Sequence, residues 1–148
     1  MLIQGSFLSS LLNLLPQKGM VKMMREYLFR GKMIANGKWS EGTLLVTKQG
    51  CCITPDATVY VAVDPETVGQ YTGMKDKNGK KIFEGDIIDF SDRLDGDGYG
   101  IVKYDANETE FGIEYDNIYK SLGKHYYPED IEVIGNIYDN PNLVRGDY

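Results

Sequence analysis

A chain of 148 residues, 42% hydrophobic and 26% charged, has the make-up of one ordinary globular domain or two very small ones, which excludes disordered and fibrous classes. No apolar run approaches the roughly 20 residues that cross a bilayer, and the oily stretch 2–15 has no basic residue ahead of it, so a cytoplasmic protein with no membrane partner is expected. The net charge of −6 is unevenly divided: residues 24–83 hold nine lysines and arginines against six acids, residues 84–148 five against sixteen, so a bound anion belongs to the first half and nucleic acid is disfavoured.

Residues 1–23 stand apart. Ser6, Phe7, Leu8, Leu11, Leu12 and Leu15 have the spacing of a short amphipathic helix ending at Pro16. Gln17-Lys18-Gly19 is also what a purine-rich ribosome-binding site yields when translated, and Met20, Met23 and Met24 follow. The natural start is therefore expected at Met23 or Met24.

Seventeen glycines and eleven tyrosines favour strands joined by tight turns. Residues 26–34 carry a broken alternation, and Asn36-Gly37 then marks a hairpin, because both residues tolerate positive φ. Strands are expected over 39–47, 51–54 and 58–63, followed by a single helical turn at Pro65-Glu66-Thr67. Residues 70–74 form the next strand, and Asp76-Lys77-Asn78-Gly79 a second hairpin into 81–83. Beyond it, 86–90, 100–104, 111–115, 125–127 and 131–137 are spaced like the strands of a small barrel, with turn residues at 95–98, 105–107 and 140–142. Ile87, Phe90, Val102, Ile113, Val133 and Ile134 are its expected core. Cys51 and Cys52, the two cysteines, are read as reduced thiols on opposite faces of a strand.

Catalytic chemistry finds little purchase. His125 has no G-x-S-x-G or suitably placed cysteine to serve. Asp95-x-Asp97-x-x-Gly100 begins like a calcium loop, but Tyr99 and Ala106 stand where further ligands are needed, so a solvated acidic turn with Asp92 is the better reading. Glu84, Asp86 and Asp89 are close in sequence, but Glu84 and Asp86 sit at a turn. With no phosphate loop or metal-ligand cluster in the pattern, a non-enzyme without catalytic residues, metal or cofactor is expected. A binding surface remains. Arg25, Arg30 and Lys32 flank Tyr27 and Phe29, with Trp39 across the Asn36-Gly37 turn, a grouping suited to a nucleobase and a phosphate together. Any half-buried strand alternates in this way, and that plainer reading takes precedence. If a small anion binds, Arg25, Tyr27, Arg30, Lys32 and Trp39 are expected to hold it.

MREYLFRGK (24–32), NGKWSEG (36–42), DPETVGQYTGMKDKNGKKIFEGDII (64–88) and VIGNIYDNPNL (133–143) together resemble the YopX family. The resemblance runs from Met24 to the C-terminus. It implies a phage or prophage origin in a bacterial host, and a mainly β fold: an N-terminal β-hairpin sheet over 24–83 and a C-terminal SH3-like five-strand barrel over 84–148. It implies no reaction. In the central block, Gly69, Gly73, Gly79 and Gly85 suit turn or bulge positions, Asp76 and Asn78 set a hairpin, and Glu84-Gly85-Asp86 turns the chain into the barrel. Gln70, Tyr71 and Thr72 need partners if buried, and a polar network joining the halves is preferred to a ligand role.

The function expected is a phage-encoded non-catalytic binding protein, acting against host defence by sequestering a small nucleotide-like signal. The alternative is a module that binds a host or phage protein through tyrosines such as Tyr115, Tyr119, Tyr126 and Tyr127. Nucleic-acid binding comes third. A homo-oligomer is expected, pairing the basic surface of one copy with the acidic surface of another.

Overall fold

A computed structural model describes residues 25–90 and 98–144. The expected helix and start site in the first 23 residues, and the acidic turn of Asp92, Asp95 and Asp97, lie outside them. The described chain is mainly β, in two antiparallel sheets. The first holds β1 (Phe29–Lys32), β2 (Trp39–Thr47), β3 (Gly50–Thr54), β4 (Val61–Val63), β5 (Gly69–Lys75) and β6 (Lys81–Phe83), in the order β4-β3-β2-β1-β5-β6. The second holds β7 (Asp86–Asp89), β8 (Tyr99–Asp105), β9 (Glu110–Tyr115), β10 (Ile118–Ser121) and β11 (Glu132–Asn136), in the order β10-β9-β8-β7-β11. Among the described residues no ladder joins β10 to β11, so this sheet is not closed into a barrel.

Local chemistry sets each reversal. Gly37, at φ +69°, lets the β1–β2 connection turn, while the Asn36 side-chain oxygen accepts the Lys38 N–H at 2.9 Å. The Asp64 carboxylate accepts the Glu66 N–H at 3.0 Å and caps the 3-10 turn Pro65–Thr67. In the β5–β6 hairpin Gly79 takes φ +78°, and Asp76 Oδ1 accepts the N–H groups of Asn78 and Lys80, both at 2.9 Å. Three residues closing on a left-handed glycine are a common hairpin solution.

The main core belongs to the second sheet. Ile88, Phe90, Val102, Ile113, Leu122, Tyr126, Ile131 and Val133 pack together, and Ile82 reaches in from β6. Five of the six expected core residues are buried; Ile134 is 39% exposed. The register of β11 on β7 shifts between Val133 and Gly135, so Ile134 is the extra residue of a bulge and faces away from the core. A second correction concerns the expected strand over 125–127. The fourth strand is β10, and the chain then forms the short helix α1 (Leu122–His125), which leads Tyr126 into the core.

Candidate functional site

Two features join the sheets, and the basic-aromatic hairpin contributes to both. Lys32 ends β1 directly opposite Trp39, and Arg30 precedes it by two residues on the same face. That face meets the second sheet. The Arg30 guanidinium lies between Trp39 and Phe83, 4.6 and 4.8 Å from their ring centres, and one nitrogen sits 2.6 Å from Asp86 Oδ1. The same nitrogen donates to the Glu84 carbonyl at 3.3 Å. Asp86 is 1% exposed and accepts the Phe83 N–H with its other oxygen at 2.8 Å. Burial pushes the Asp86 carboxyl above its ordinary value, and the Arg30 charge offsets only part of that.

Next to it, Asp139 accepts from Lys32 Nζ at 2.5 Å, Trp39 Nε1 at 2.7 Å and Asn136 at 2.9 Å. Led by Lys32, these partners hold its carboxyl down at about 2. Tyr138 stacks edge-on against Trp39 and donates its hydroxyl to the Glu66 carbonyl at 2.9 Å. Arg30, Lys32 and Trp39 are thus engaged with acids of the C-terminal half, so the opposite charges of the two halves meet within one chain. Lys77 with Glu132, at 2.7 Å, is a further such pair.

Arg25 and Tyr27 stand elsewhere. Both are exposed, with the Arg25 guanidinium 5.2 Å above the Tyr27 ring, and they form one wall of an open groove of about 880 Å³ between the sheets. Gln70, Thr72 and Met74, alternate residues on one face of β5, form its floor. Tyr104, Thr109, Phe111 and Lys124 supply the opposite wall. Glu110 accepts from Lys124 Nζ at 3.0 Å, and that bond holds its carboxyl below the ordinary value. A space of this size, with aromatic rings and a few charges at its edges, suits a ligand as large as a nucleotide.

The central block divides between scaffold and groove. Tyr71 is buried against Phe83, with ring centres 5.6 Å apart, and burial pushes its hydroxyl up. Thr72 donates to the Ile82 carbonyl at 2.9 Å, and Glu84 Oε2 accepts the Gln70 N–H at 2.8 Å, so both bonds lie within the β5–β6 region. The expected network across the halves comes instead from Arg30 with Asp86, and from Asp76, whose Oδ2 accepts the Val133 N–H at 3.0 Å. Asn78 donates to Glu132 at 3.2 Å. Gly73 and Gly85 take φ of +90° and +81°, and the Gly85 N–H donates to the Val102 carbonyl at the turn between the sheets. Sequence reasoning overlooked Asp139, which shares the motif run 133–143, and Tyr104, Thr109, Phe111 and Lys124, which no local pattern marks.

The family described as YopX protein matches residues 22–145. The crystal structure of protein EF1440 from Enterococcus faecalis is similar in fold, with a TM-score of 0.53 and 23% sequence identity, over 82% of this chain and 99% of that one. No curated protein matches the chain.

Proposed function

We propose that this chain, which belongs to the YopX family, is a non-catalytic binding protein that takes a small nucleotide-like anion in the groove between its sheets. One observation carries the proposal: a groove of about 880 Å³ in which Arg25 is stacked on Tyr27 and faces a wall bearing Lys124. A guanidinium held flat on an exposed ring offers a phosphate fork and a stacking surface side by side. Glu110 is tied to Lys124, and that bond holds its carboxyl low, which supports binding rather than proton transfer by it at neutral pH. In a phage-infected bacterial cytoplasm, such a protein would blunt defence by sequestering a nucleotide signal. We read the second sheet as an SH3-like barrel; the return of β11 beside β7 after a 3-10 turn at Pro128–Asp130 supports that topology.

The test is mass spectrometry of small molecules released on denaturing protein purified from its host. A stoichiometric nucleotide, lost in an Arg25→Glu, Tyr27→Ala variant, is expected. A clean extract refutes it. Leu45, Val46, Val59 and Tyr60, all exposed around the β2–β3 arm, favour a second reading as a protein-interaction module or a homo-oligomer contact. Of the four tyrosines first named for that role, Tyr127 is exposed, Tyr115 and Tyr119 are half-buried, and Tyr126 is buried. A clean extract with a co-purifying host protein would decide for that module, and light scattering that finds a monomer at every concentration would remove the oligomer.

A further inference from the structure

The hairpin joining β8 to β9 turns through residues 106–109, between Asp105 and its partner Glu110. Asp105 holds most of that turn, its Oδ1 accepting the Asn107 N–H at 2.8 Å and the Glu108 N–H at 3.3 Å. The last residue, Thr109, has φ +57°. Left-handed backbone is ordinary for glycine or asparagine, but a branched Cβ crowds the adjacent carbonyl there. The other described non-glycine residues with positive φ are Asp116 and Asn117, types that tolerate it, in the turn between β9 and β10. Among the described residues Thr109 alone pairs the strained conformation with a β-branched side chain.

Thr109 is exposed, and its hydroxyl makes no hydrogen bond to another described residue that would offset that cost. The side chain instead lines the groove, on the wall that carries Lys124. Strain retained at a turn, where asparagine or glycine would relieve it, points to a use for the side chain. We propose, resting on the groove as the binding site, that Thr109 is a ligand-positioning residue whose hydroxyl donates a hydrogen bond to a phosphate oxygen of the bound nucleotide. Lys124, held by Glu110, the residue that follows Thr109, brings a cation to the same wall. A hydroxyl and an ammonium on one wall would fix the phosphate, leaving the Tyr27 ring to stack on the base.

Fluorescence titration of the full chain with N-methylanthraniloyl derivatives of ADP, GDP and UDP, together with thermal unfolding, tests this. Thr109→Gly and Thr109→Asn should both raise the thermal midpoint, because each accepts the left-handed backbone. Thr109→Gly should weaken probe binding about tenfold, the loss of one hydrogen bond to a charged acceptor, while Thr109→Ser should bind as the wild type does. A wild type that binds none of the probes overturns the groove as a nucleotide site, and the role of Thr109 with it. Wild-type binding that Thr109→Gly leaves unchanged overturns the role of Thr109 alone, and so does an unchanged or lower midpoint in both relieved variants.

Discussion

Replacing Arg30 with methionine isolates the contact that locks the two sheets. Methionine keeps the length of the side chain and an apolar body between Trp39 and Phe83, but removes the charge 2.6 Å from Asp86. The Asp86 carboxylate, 1% exposed, would keep the Phe83 N–H and lose its counter-charge. Removing one partner of a buried ion pair costs about 3–5 kcal/mol. A domain of ordinary stability has only about 5–15 kcal/mol in total, so a fifth of it at the least would go. Burial already raises the Asp86 carboxyl against the pull of Arg30, and without Arg30 it rises further. A carboxyl raised in the folded state binds its proton more readily there than in the unfolded chain. Its ionisation therefore costs stability as pH rises through the folded value, and below the unfolded value the cost is absent. The deficit of Arg30→Met should accordingly shrink on acidification toward the unfolded value near 4. Urea unfolding followed by circular dichroism, and by the fluorescence of Trp39, the single tryptophan, reads both effects. A deficit below about 1 kcal/mol at pH 7, outside the range for a broken buried pair, would refute the reasoning, and so would one that grows on acidification. Arg30→Met with Asp86→Leu should recover only part of the loss: paired apolar replacements of buried ion pairs are often neutral, but this one leaves the Phe83 N–H without its acceptor.

Three further outcomes are expected. Asp76→Ala strands the N–H groups of Asn78, Lys80 and Val133 and should cost on the order of 3 kcal/mol in denaturant unfolding, with Asp76→Asn intermediate. Asp139, held down at about 2, contributes stability above its unfolded value near 4 that is lost as pH falls toward 2; Lys32→Met should flatten that acid limb by no more than about 1 kcal/mol, because the pair is partly exposed. A Cβ at Gly42 would lie 2.2 Å from the Thr54 carbonyl oxygen, a backbone atom that cannot swing aside, so Gly42→Ala should cost about 1–3 kcal/mol by thermal unfolding.

Strands and turns were legible wherever a local signal sufficed. The span 39–47, the helical turn at Pro65–Thr67 and the hairpin ending at Gly79 each follow from alternation or from residue types that favour one backbone conformation. Legibility failed where neighbours decide. Ile118–Ser121 has no alternation of its own and becomes a strand by pairing with β9, while 125–127, aromatic and strand-like in isolation, is turned by α1 so that Tyr126 enters the core. Ile134 looks like a core residue, and only the bulge against β7 turns it outward.

The candidate site divided along the same line. Sequence alone determined that cations and aromatics alternate around residues 25–39 and that the two halves carry opposite charge, because both are counts along the chain. It could not determine which cations remain open to a ligand. Arg30 and Lys32 meet Asp86 and Asp139, which lie 56 and 107 positions further on, so their engagement exists only once the sheets have packed. Arg25 and Tyr27, in the same short stretch, fall beyond that contact and face a groove whose far wall comes from β8, β9 and α1. Spacing along a strand assigns a side chain to a face; only the packing of the second sheet decides whether that face meets protein or solvent.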